Sequence, residues 1–159
     1  MSDIDVATIK ELRDLTSAGV MDCKQALEET NGNIEQAVGI LRKKGIASAA
    51  NKSTRTAEQG VIESYIHSGN KIGVMIEINC ETDFVARTEE FKKLAHDIAM
   101  QIAAMGTSDG LEDNSLDSLL SQPFIKDPSK TIKDLVTEVT AKTGENIELK
   151  RFIRFSVGE

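Results

Sequence analysis

Apolar residues along the first part of the chain recur at helical spacing, and later runs alternate at strand spacing. Val6, Ile9, Leu12 and Leu15 form one helical stripe, which Gly19 in "TSAGVMD" interrupts. Cys23, Ala26 and Leu27 form a second, ended at "TNGN", where Asn31-Gly32 supplies a turn. Asn33 has the chemistry of an N-cap, and Ile34, Ala37, Val38 and Leu41 form the third stripe. The pattern predicts three short helices around a small aliphatic core, marginally stable alone.

"RKKGIASAANKSTRTAEQG" follows, a mixture of basic, alanine and small polar residues that reads as a partly helical connector. It places a boundary near residue 55, dividing the chain into 1–55 and 56–159. Its basic residues have no aromatic neighbour to stack on a base, and those ending the third helix suit its dipole.

Two β-rich runs in "GVIESYIHSGNKIGVMIEIN" flank Ser68-Gly69-Asn70, which predicts a hairpin. On the second run Ile72, Val74, Ile76 and Ile78 share a face. In "NIELKRFIRFSVGE" the alternation puts Ile147, Leu149, Ile153, Phe155 and Val157 on one side, with Arg151 out of pattern. Three antiparallel strands with one apolar face need helices to cover it. Phe91, Leu94, Ala95, Ile98, Ile102 and Met105 supply one stripe, and Ile132, Leu135, Val136 and Val139, ended by Gly144, supply another. The intervening stretch is polar and turn-rich, contains both prolines, and predicts one short helix near Leu116–Leu120. The fold class expected is α+β: a helical N-terminal domain joined to a three-stranded antiparallel sheet covered by helices.

"NCETDFVARTEEF" sits at the junction of the hairpin and the long helix. A helix starting at Thr82 would put Phe84 on the stripe of Phe91, as an ordinary core residue. A helix starting after Thr88 would make that threonine the N-cap, with Glu89 and Glu90 in the first turn, and leave "TDFVAR" as a separate projecting turn. Residue physics alone favours the core, because an exposed Phe is an aggregation liability.

The net charge of −7 argues against sequence-independent nucleic-acid binding. Residues 1–55 are about neutral and the acidic excess falls mostly within 56–110, which would steer a basic partner surface there or simply maintain solubility. No apolar run is long enough to span a bilayer, and the start "MSDIDVATIKELRDL" lacks the regions of a secretion signal. Cys23 and Cys80 lie far apart and form no metal-ligand pattern. A cytoplasmic protein without metal or cofactor is expected.

"AGVMDCKQALEETNGNIEQAVGILRKKG", followed by "NCETDFVARTEEF", resembles bacterial elongation factor Ts, the nucleotide-exchange factor of the GTPase EF-Tu. The similarity continues through "QPFIKDPSKTIKDLV" and "GENIELKRFIRF", so it touches nearly the whole chain. The resemblance implies a three-helix N-terminal domain like the ubiquitin-associated (UBA) fold, and no catalytic residues. It also implies that Thr82, Asp83, Phe84 and Val85 disturb the magnesium and phosphate site of EF-Tu, with Phe84 as a wedge. Arg13, Val20, Met21 and Lys24 match positions that touch the GTPase domain. The family often has Met in place of Val20 and Asn in place of Thr88. It usually carries a longer helical insert before "QPF", where this chain has a short connector over 106–121. Members with a single core half look like homodimers, and His67 matches a contact residue of the other half. The resemblance therefore offers His67 a role from a neighbouring subunit, against a plain solvated histidine at a hairpin turn.

Two rival readings use the same residues. One is an adaptor whose three-helix domain binds another protein, with the α+β part as a dimerisation module. The other is an enzyme built on Cys23, Cys80, His67 and His96. Cys80 precedes a helix start, which lowers a thiol pKa, but no Cys/His spacing or glycine-rich phosphate loop accompanies it.

Overall fold

The computed structural model describes residues 4–105 and 113–159, so residues 106–112 of the expected 106–121 connector lie outside the described residues. The first three helices are α1 (Val6–Thr16), α2 (Val20–Glu29) and α3 (Ile34–Lys52). Asn33 caps α3 as expected, its side chain accepting from the Gln36 N–H at 3.0 Å. Leu12, Cys23, Ala26, Leu27, Ala37 and Leu41 form a small buried core. Only half of the first stripe enters it: Val6 and Leu15 are exposed. The connector is more helical than expected, because α3 runs unbroken to Lys52. Its alanine-rich second half favours helix, and it packs on a later helix, with Gly45 facing Ala141.

A second, larger core follows. Strands β1 (Gln59–Ile66) and β2 (Ile72–Cys80) form the expected hairpin, and β5 (Glu148–Ser156) joins the other side of β2, all antiparallel, in the order β1-β2-β5. Val74, Ile76 and Ile78 are buried on the inner face with Leu149 and Phe152, under the long helix α5 (Glu89–Met105). Phe91, Leu94, Ile98 and Ile102 of α5 fill that layer. Helix α7 (Ile132–Thr143) packs on α5 and α3, capped by Thr131 in a full capping box and ended at Gly144 with φ 76°. Close approach fixes Gly60 in β1: at φ 152° a Cβ there would lie 2.2 Å from the Ile78 carbonyl.

The strand pattern needs one correction. Glu77 pairs with Arg151 but Ile78 pairs with Leu149, so Lys150 is an extra residue in a β-bulge. Parity reverses across it. Phe152 enters the core, while Ile153, Phe155 and Val157 do not share the face of Leu149. A second departure is a small antiparallel ribbon, β3 (Pro123–Phe124) with β4 (Asp127–Thr131), after helix α6 (Asp113–Ser121). Prolines are admissible in so short a ribbon. Buried Gln101 of α5 holds it, donating to the Pro123 carbonyl at 3.0 Å and accepting from Ile125 N–H at 2.9 Å. Among the described residues no helix is long and apolar enough to cross a membrane.

Candidate functional site

The junction after β2 forms a projecting turn. Asp83–Ala86 make a single helical turn, α4, and α5 starts only at Glu89. Thr88 caps α5: its hydroxyl accepts from Phe91 N–H at 3.3 Å and donates to the Val85 carbonyl at 2.8 Å. This one threonine separates two helices that a continuous stripe would have merged. Phe84 therefore lies outside the core, and the expectation from residue physics is reversed: it is 84 % exposed, the most exposed of the large apolar residues described.

The turn beneath Phe84 is fixed from below. Ala86 is buried and Val85 packs against the larger core. Thr82 caps α4, its hydroxyl accepting from Val85 N–H at 3.4 Å. Asp83 pairs with Arg87 one turn later at 2.5 Å, an exposed pair worth little to stability. Thr82, Asp83, Phe84 and Val85 are thus a short rigid segment whose one large apolar side chain points away from the protein.

Arg13, Val20, Met21 and Lys24 are all exposed, on the end of α1 and the first turns of α2. Met21 is 73 % exposed although its helix packs against a small apolar core. Helix periodicity decides this: Cys23, Ala26 and Leu27 take the inner face, which leaves Met21 and Lys24 outside, while Val20, the first residue of the helix, is half exposed at its end. His67 is exposed at the hairpin turn, its Nδ1 3.2 Å from the Tyr65 hydroxyl. It stands at the opposite end of β2 from Phe84, about 25 Å along the strand. The structure brings Val20, Met21 and Lys24 together, and Thr82 to Val85 together, and leaves His67 apart.

The surroundings of both thiols oppose the nucleophile reading. Burial, with the charge of Glu145 added, pushes the Cys80 thiol up to about 11, despite hydrogen bonds at Thr82 and Ala86. Its sulfur donates to the Thr82 carbonyl, so it buttresses the turn from below. Burial also raises the Cys23 thiol. Among the described residues no group of His, Cys, Asp and Glu side chains could hold a metal ion.

Sequence reasoning missed the residues that hold the turn from the side. Glu145 follows Gly144 after α7, and its carboxylate accepts from the N–H groups of Glu81 and Thr82 at 3.0 and 2.9 Å and from the Thr82 hydroxyl at 2.5 Å. Glu81 replies by accepting from the Asn146 N–H at 2.7 Å and from Arg55 at 3.5 Å. The stretch "GENI" carried a signal, a helix-ending glycine followed by an acid, but nothing in it says which distant backbone the acid meets.

Comparison with known proteins adds relatives. A family model described as Elongation factor TS matches residues 2–117. The chain is similar to the elongation factor Ts of Carboxydothermus hydrogenoformans, 48 % identical over 190 aligned positions that cover 95 % of this chain and 88 % of that protein. It is 43 % identical to that of Desulfitobacterium hafniense, covering 100 % and 91 %, and 45 % identical to that of Caldanaerobacter subterraneus, covering 98 % and 98 %. The first alignment has more positions than this chain's 159 residues, so that relative carries segments with no counterpart here.

Proposed function

The chain belongs to the elongation factor Ts family, and from that premise we propose that it promotes nucleotide exchange on the translation GTPase EF-Tu by disturbing the magnesium and phosphate site with Phe84. The observation that carries this reading is an aromatic ring 84 % exposed on a turn that is held at both ends, by Thr82 and Thr88, and packed beneath by Val85 and Ala86. An exposed Phe has an unfavourable hydration cost that burial in a partner's pocket would recover, about 1.5–3 kcal/mol.

Linkage supplies the mechanism. A GTPase holds GDP through phosphate contacts and Mg²⁺. If the pocket for Phe84 opens only when that geometry is distorted, the factor binds the empty GTPase better than the GDP form. GDP affinity then falls by the same factor that GDP weakens the complex. Phe84 alone supplies about one to two decades. Thr82, Asp83 and Val85 hold it in place. Arg13, Val20, Met21 and Lys24 add a second contact on the GTPase domain, where Met21 offers an adaptable apolar side chain on the same helix as Lys24. No bond is made or broken by this chain. Residues 1–55 and 56–159 act as two domains, each with its own apolar core.

A homodimer completes the proposal, with His67 reaching the GTPase from the second subunit. The outer sheet face supports it. Ile66, Gly73 and Phe155 lie in one cross-strand row, Ser64, Met75 and Ile153 in the next, and Ile62 stands beside Glu77. Ile62, Ile66, Met75 and Phe155 are exposed there, a contiguous apolar patch on a face that a lone sheet would leave polar.

Stopped-flow release of fluorescent GDP from EF-Tu tests the wedge. The Phe84→Ala chain should keep its fold and slow stimulated release by roughly 10- to 100-fold. An unchanged rate would remove the wedge from the mechanism.

A further inference from the structure

We infer that Glu145 is the positioning residue for Phe84, acting through the Thr82 hydroxyl; this rests on the reading of Phe84 given above. Three donors meet one carboxylate: Glu81 N–H, Thr82 N–H and Thr82 O–H. The third matters most. A hydroxyl has one hydrogen to give, and here it goes to Glu145 Oε1. Its lone pairs are thereby turned toward Val85 N–H, the capping bond that starts the turn carrying Phe84. Without Glu145 the hydroxyl is free to rotate and the two backbone N–H groups lose their common acceptor.

The arrangement is a reciprocal brace between two loops far apart in sequence. Glu145 takes the backbone of Glu81 and Thr82, while the Glu81 side chain takes the backbone of Asn146. Asn146 in turn donates to the Arg55 carbonyl at 2.8 Å, and Arg55 reaches Glu81 and the Gly144 carbonyl at 3.5 Å. Gly144, at φ 76°, is the left-handed residue that ends α7 and turns the chain toward the brace. Glu145 thus ties the turn under Phe84 to the end of α7, and through Arg55 to the exit of α3. Preorganisation of this kind removes an ordering cost from the binding step and leaves the encounter surface unchanged.

The test is a mutant cycle read by stopped-flow GDP release from EF-Tu over a range of factor concentrations. Glu145→Ala should lower the saturating release rate about 10-fold and shift the half-saturating concentration by less than about 3-fold, since the contact residues are intact. Glu145→Gln should recover only part of the rate, because its amide oxygen still accepts both backbone N–H groups but its NH₂ cannot accept the hydrogen of the Thr82 hydroxyl. In the double variant with Phe84→Ala, Glu145→Ala should cost less than about 2-fold more, because a residue acting through Phe84 has nothing left to position. Additive losses, or a Glu145→Ala chain as fast as the parent beside a slow Phe84→Ala chain, would overturn the positioning role alone. A Phe84→Ala chain as fast as the parent would instead sink the reading of Phe84 and the role of Glu145 with it. Should the alanine chain fail to fold, Glu145→Asp, which keeps the charge but withdraws it by one methylene, runs the same cycle with the same deciding outcomes.

Discussion

Asp97 is a buried carboxylate whose surroundings tie the stability of the fold to pH. It is buried in α5, where burial would raise its carboxyl, yet Lys126 and Lys93 at 2.8 Å each hold it below the usual carboxylate range. A folded pKa below the unfolded one means stability that is present above the unfolded value and is lost as pH falls through the folded one. Asp97→Asn should therefore cost about 1–2 kcal/mol at pH 7, and the gap from the parent should close at an acid pH below the usual carboxylate range. Urea denaturation at the two pH values checks this, and a gap independent of pH would show that the two ammonium groups contribute nothing. Asp97 also shows why single residues were hard to read from sequence. It lies on a helix whose apolar stripe is plain, but its partner Lys126 is 29 positions away. Phe84 is the same problem in reverse. Its chemistry says core and its position says solvent, and one threonine hydroxyl at position 88, capping α5, decides between them.

Elements were more legible, except where one residue changes the parity of a strand. The helical stripes and the β1–β2 hairpin follow from spacing, and Asn33 and Gly144 mark helix ends as their chemistry requires. Strand β5 does not follow. Read with strict alternation it faces Ile153 and Phe155 inward and leaves Arg151 as an anomaly, and that anomaly is the trace of the bulge at Lys150. The consequence is measurable. Phe152 is 2 % exposed and packed in the larger core, so Phe152→Ala should cost about 3–5 kcal/mol, while Ile153→Ala should cost less than about 1 kcal/mol in the monomer. Equal losses at the two positions in thermal unfolding would mean that the register is wrong. The β3–β4 ribbon was hidden for a different reason. What holds it is Gln101, a polar residue on a buried helix face, and an apolar-periodicity argument passes over such a residue.

At the scale of the whole molecule, two apolar cores are joined by the second half of α3 lying on α7 and by the Arg55 brace, and both groups proposed to face the GTPase sit on the outside of those cores. What the larger core leaves uncovered is the outer sheet face. Its patch lies on the side of the sheet opposite α5, so among the described residues no helix of the larger core shields it. Arg151 and Glu77, paired at 2.8 Å, stand at one end of the apolar rows and give the patch a polar margin, as an interface rim requires. In the proposed dimer a second copy would present the same face, and the two faces would stack as sheet on sheet about 10 Å apart. Sedimentation equilibrium should then find a dimer at about 50 µM for the parent, and a monomer for Phe155→Glu, in which each stacked face would bury an unpaired carboxylate. Because Phe155 is 68 % exposed in the single chain, the Phe155→Glu monomer should unfold within about 0.5 kcal/mol of the parent's own monomer at high dilution. A parent that stays monomeric at the higher concentration would remove the second subunit, and with it any route by which His67, at the far end of β2 from Phe84, reaches the same GTPase.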